Sequence, residues 1–216
     1  DDERGARCRL IHAPILRDID AFWDEAIGRM DAPARVAATL QTAFSGGALD
    51  RAAARNLERG GLPMLYSVMM TTAREPIRLA LEACARESAR GPVIFHCQKG
   101  KDRTGILSML IQGCLGESED EMINSYSLSG DLLGGKDRNS KVDKVETDTK
   151  GGGSGMVDWS YFRGSPKSAM AETLTWVCQQ YGSVDGYLDD IYFGSEKRAI
   201  FRERVGETNV ANISPR

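Results

Sequence analysis

Histidine is scarce in this chain, with two in 216 residues. That is too few for a metal centre built on imidazoles, so no metal or other cofactor is expected. Cysteine is limited to five, an odd number spread widely, which argues against a disulfide scaffold and for a reducing, cytoplasmic compartment. No run of eighteen apolar residues occurs, so no membrane span is expected, and no signal peptide is visible. An excess of one charge is also missing. Twenty-eight Lys and Arg face 31 Asp and Glu, a net charge of −3, and nothing in that balance points to nucleic acid or an anionic membrane surface. An initiator methionine is absent too, which suggests a trimmed chain. With 41% apolar residues, the chain can build a real core and reads as a single domain over 1–216.

One loop carries most of the chemical information. It reads Phe95-His96-Cys97-Gln98-Lys99-Gly100-Lys101-Asp102-Arg103-Thr104-Gly105. A strand-like apolar run, Val93, Ile94 and Phe95, precedes it. A helical pattern of Ile106, Leu107, Met109 and Leu110 follows. Strand, tight loop and helix N-terminus together make a site for a dianion. A cysteine within it makes the site reactive, because helix N-termini and nearby cations stabilise the thiolate. Five residues separate Cys97 from Arg103, enough for the chain to curl with its amides inward. Gly100 suits the backbone angles of such a curl. Arg103 supplies a planar fork that matches two phosphoryl oxygens, which lysine cannot do. Thr104 has a hydroxyl that can point back to the sulfur, and Gly105 allows the helix to pack closely on the strand.

This string resembles the active-site loop of cysteine-dependent protein tyrosine phosphatases. Within them it is similar to a microbial and fungal branch of atypical, dual-specificity-like enzymes, some of which also act on phosphoinositides. Leu65-Tyr66, the stretch 91–96, Tyr126-Ser127-Leu128-Ser129 and the stretch 181–188 extend the resemblance over most of residues 60–205. It implies an α/β fold, with a small, largely parallel central sheet surrounded by many helices and a helix-rich C-terminal part. An N-terminal strand segment normally precedes such a run, so part of the sheet is expected to be missing. It also implies a two-step reaction. Cys97 attacks phosphorus, Arg103 and the loop from Gln98 through Lys99, Gly100, Lys101 and Asp102 hold the oxygens, and Thr104 assists hydrolysis of the thiophosphate. The implied substrate is a phosphorylated protein, most directly at tyrosine, or a phosphoinositide. A phosphate-binding protein without turnover and a rhodanese-type sulfurtransferase are the competing classes; the arginine followed by Thr-Gly favours phosphate.

The general acid is the open role. Many such enzymes carry an aspartate thirty to forty residues before the cysteine, yet this chain has none between Asp50 and Asp102. Glu58 and Glu75 are the upstream carboxylates near that range. Asp102 is the candidate acid, and it reads equally well as a loop-bracing carboxylate paired with a lysine. Lys101 is expected to contribute to binding at the mouth; Lys99 reads as binding or solvated. His96 reads as a structural residue that orients the loop and tunes the thiol. Relatives commonly carry an aspartate where Ser125 stands, directly before Tyr126.

The rest of the chain is organised around helices. Residues 9–15 read as a strand, and 18–31 and 33–58 as two or three helices, with Phe22 and Trp23 inward. Leu62, Leu65, Tyr66 and Met69 open a helical region, and Pro76 suits the first turn of the next helix. Ser118 and Glu121 form a capping box. Residues 134–158 break the pattern with alternating charge and a Gly-rich stretch, and read as a solvated insertion. Order returns at Ser165-Pro166, followed by a helix to Tyr181, another from Ser183, and a last one over 195–205. Cys84, Cys114 and Cys178 fall on apolar helical faces, while Cys8 is a remote candidate for a disulfide with Cys97.

Overall fold

The computed structural model describes residues 9–134, 157–158 and 162–211, without the side chains of 131–134 and 206–211. Cys8 and nearly all of the expected insertion lie outside the described residues. Among them the chain forms helices α1 (Ile19–Gly28), α2 (Ala32–Thr42), α3 (Ala48–Thr72), α4 (Arg74–Ser88), α5 (Asp102–Leu115), α6 (Glu119–Gly134), α7 (Lys167–Tyr181), α8 (Val184–Asp190) and α9 (Ser195–Ala211).

No strand forms among the described residues, so the expected α/β fold is corrected to an all-α one. The reason is visible at the segment expected to be a strand. Residues 92–97 are outside any helix, and their side chains alternate as a strand's would. Ile94 is 90% exposed, whereas Val93 and Phe95 pack on the core, beside Ile111, Leu115, Phe201 and Val205. Alternation is a property of one segment. A sheet also needs a second extended segment to exchange backbone hydrogen bonds. The other expected strand, 9–15, is likewise irregular and unpaired.

Local signals elsewhere explain the helix boundaries. Asp18 caps α1 by accepting from the Ala21 amide at 2.8 Å. The Ser118–Glu121 box is closed: Glu121 Oε2 accepts from the Ser118 amide at 2.8 Å, and Ser118 Oγ accepts from the Glu121 amide at 3.3 Å. Ser183 Oγ accepts from the Gly186 amide at 2.9 Å and starts α8. The chain kinks inside α3 at Gly61, two residues before Pro63. That kink lies between Ala53, which packs with Met30 and Ala38, and the part of α3 that carries Leu65, Tyr66 and Met69.

Helix α5 runs through the core. Ile106, Met109, Leu110 and Cys114 are almost completely buried. Each large apolar side chain so buried stabilises by about 1.5–3 kcal/mol. That seats α5 firmly although no side chain caps its N-terminus. Its first amides are therefore not used by a cap. Gly105 faces Tyr126 of α6, where an added Cβ would lie 2.9 Å from the ring. The close approach expected of Gly105 is thus made to a helix, not to a strand. Cys84 is also buried, as expected, while Cys178 is partly exposed near Glu119.

Candidate active site

The loop before α5 assembles around Cys97. Gly100 has a φ of 69°, a left-handed angle that a side chain disfavours, and this bends the chain back toward the helix. The Cys97 amide donates to Thr104 Oγ1 at 2.8 Å, tying the start of the loop to the first turn of α5. The Cys97 thiol is half-buried. Partial burial pushes it up, but the Thr104 hydroxyl and the backbone amides of Thr104, Lys101 and Gly100 outweigh this and bring it down from 9.0 to about 7. A substantial thiolate fraction therefore exists near neutral pH. Cys84 and Cys178 are shifted the other way, chiefly by burial, and Cys114 is pushed up to about 12. Cys97 is thus set apart from the other three described thiols by its surroundings.

Arg103 is half-buried and has no carboxylate partner among the described residues. Its fork remains available to an anion. His96 is exposed, and its Nδ1 lies 2.9 Å from the Cys97 carbonyl. A carbonyl only accepts, so this contact requires the proton on Nδ1. Gln98 and Lys99 are exposed, and Gly100 lines a small cleft with Thr104, Ser108, Gln112, Ser125 and Tyr126. Ser125 therefore sits beside the loop.

Lys101 differs from the expectation of a cation at the mouth. It is 5% exposed, and its ammonium donates to the Phe162 carbonyl, to the Gly164 carbonyl at 2.8 Å and pairs with Asp102 Oδ1 at 3.2 Å. Two carbonyls take hydrogen bonds and a carboxylate balances the charge, so the ammonium is spent on holding the 162–164 segment against the loop. Asp102 in turn accepts from Tyr66 at 2.8 Å, and Tyr66 lies 2.7 Å from the hydroxyl of Tyr126. The bracing alternative for Asp102 has direct partners here. Glu58 accepts from the Asp158 amide at 2.7 Å, and Glu75 pairs with Arg78 at 3.8 Å.

Sequence reasoning marked Tyr66 and Tyr126 only as points of resemblance and missed their meeting at Asp102. The signal was a general one: a buried tyrosine hydroxyl needs a partner. Which partner it finds depends on helices 36 and 60 residues apart in the chain.

Among the described residues no helix is long and apolar enough to cross a membrane. A family model described as "Tyrosine phosphatase family" matches residues 6–207. A tyrosine-protein phosphatase of Nostoc commune is 30% identical over 125 residues, covering 54% of this chain. The chain spans 40% of that relative's length. No solved structure matches. The match of the family model over nearly all of the chain, centred on a loop whose cysteine and arginine stand as described, places it: this chain belongs to the tyrosine phosphatase family.

Proposed function

We propose that the chain is a cysteine-dependent phosphatase that hydrolyses phosphate monoesters, acting on phosphotyrosine in proteins. The observation that supports this best is the state of Cys97, a thiol lowered to about 7 by Thr104 and the loop amides. In the first step the thiolate attacks phosphorus; a P–S bond forms as the bond to the leaving oxygen breaks. Arg103 and the amides at the start of α5 hold the equatorial oxygens while charge redistributes. Asp102 gives its proton to the leaving oxygen. In the second step water attacks phosphorus, inorganic phosphate forms and the thiolate of Cys97 departs, with Thr104 stabilising the sulfur. Gln98, Lys99 and Gly100 belong to the cradle. Lys101 supports it from behind by fixing Asp102 and the 162–164 segment. Thiolate chemistry of this kind suits a reducing compartment such as the cytoplasm.

The test is Cys97→Ser in the full chain. The variant is expected to lose phosphate release from phosphotyrosine while still binding the ester. Retained turnover would refute the proposal. A parallel panel of phosphotyrosine peptide, phosphothreonine peptide and phosphoinositide assigns the substrate class. The proposal requires the highest kcat/KM on the phosphotyrosine peptide.

A further inference from the structure

The loop helix begins at Asp102, and two phenols from separate helices converge on that carboxylate. Tyr66 of α3 is fully buried and Tyr126 of α6 nearly so. Their rings meet edge to face, with centroids 6.0 Å apart. The Tyr66 hydroxyl has one proton to give, and it lies 2.8 Å from Asp102 Oδ1. With that proton committed, the 2.7 Å contact between the phenols must be donated by Tyr126. The network thus has a direction, from Tyr126 to Tyr66 to Asp102. Lys101 Nζ approaches the same Oδ1 at 3.2 Å. Oδ1 therefore takes one hydrogen bond and one ion-pair contact, and Oδ2 receives neither from the described residues.

When a carboxyl group acts as an acid with one oxygen already accepting a hydrogen bond and facing an ammonium, its proton sits on the other oxygen. Two phenols packed together could also satisfy each other and leave the carboxylate alone. Here the pair is extended to an aspartate inside the loop, directly before Arg103. Both phenols stay neutral donors at working pH. Burial, then the Asp102 charge, raises Tyr66 far above its ordinary range, and burial raises Tyr126 to about 12. Neither can replace Asp102 as a proton source for the leaving group.

We infer that Tyr66, oriented by Tyr126, is a positioning residue that keeps Asp102 Oδ1 as an acceptor and thereby leaves the acid proton on Oδ2. This rests on the reading of Asp102 as the general acid. The experiment is a mutant cycle in the full chain with Tyr66→Phe, Asp102→Asn and the double variant, each assayed on 4-nitrophenyl phosphate and on phosphotyrosine. The first substrate has a good leaving group that needs little protonation; the second has a poor one. Tyr66→Phe is expected to lower kcat on phosphotyrosine about tenfold, the scale of one well-made hydrogen bond, and to change KM less than about twofold. On 4-nitrophenyl phosphate its loss should be several times smaller. In the Asp102→Asn background Tyr66→Phe should have no further effect. Tyr126→Phe, which leaves the Tyr66–Asp102 bond in place, should act in the same direction and more weakly; it guards against a Tyr66 variant that fails to fold. Equal losses on both substrates, or the same loss with and without Asp102, would overturn the role of the tyrosines. If Asp102→Asn is itself insensitive to the leaving group, the acid reading falls and the tyrosine role with it. If Asp102→Asn is sensitive and Tyr66→Phe is not, only the tyrosine role falls.

Discussion

The Thr104 hydroxyl makes two contacts at once, and its removal tests how the loop lowers the Cys97 thiol. It accepts from the Cys97 amide at 2.8 Å, and as a donor it is the largest of the favourable influences that lower the thiol from 9.0 to about 7. Amides of Thr104, Lys101 and Gly100 supply the remainder. Thr104→Ala removes the hydroxyl and keeps those amides, so it is expected to return about one of the two pH units. The sign follows from the thiolate being the reactive form. In the native protein kcat/KM should fall as pH drops through about 7. In Thr104→Ala the fall should begin about one unit higher, so that activity at pH 6 drops about tenfold and activity at pH 9 changes little. Alkylation by iodoacetate against pH reads the same thiol without turnover. Cys84, Cys114 and Cys178 are all raised, so below pH 8 the label reports Cys97 once Cys8 is replaced by serine. Thr104→Ser should keep the native profile. If the alkylation midpoint stays at about 7 in Thr104→Ala, the hydroxyl does not set the thiol and the explanation is wrong.

Other parts of the structure make further predictions. Lys101→Met strands two carbonyls and removes the cation beside Asp102, and should cost about 2–4 kcal/mol in chemical denaturation; a variant as stable as the parent would mean the ammonium is not a tether. Gly105→Ala forces the Tyr126 ring to give way from 2.9 Å, so it should lower stability by about 1–3 kcal/mol and slow turnover of phosphotyrosine, both read on one preparation. Ser118→Ala opens the capping box of α6 and should cost about 1 kcal/mol with kcat unchanged.

The loop around Cys97 was legible because its features are local. Cysteine, five spacer residues and arginine lie on one continuous stretch, and a glycine that accepts a positive φ stands where the chain must turn. Helix ends were legible for the same reason: Ser118, Glu121 and Ser183 bond to amides within three residues. The sheet was misread because alternation at Val93, Ile94 and Phe95 describes one segment's sides and says nothing about a neighbour. Lys101 was misread because a lysine in a charged loop looks solvated until the carbonyls of Phe162 and Gly164 are brought to it.

Sequence alone determined the cysteine, the arginine six positions on and the turn between them, since each depends on residue type and short spacing. Tertiary structure decided what surrounds them. Tyr66, Tyr126 and the 162–164 segment reach Asp102 and Lys101 from far along the chain. Their arrival turns one expected phosphate-binding lysine into a buried brace, and it gives a lone aspartate a fixed partner on one oxygen. The physical reason is that a buried polar group must find its hydrogen bonds wherever packing places them, and packing is set by the whole fold.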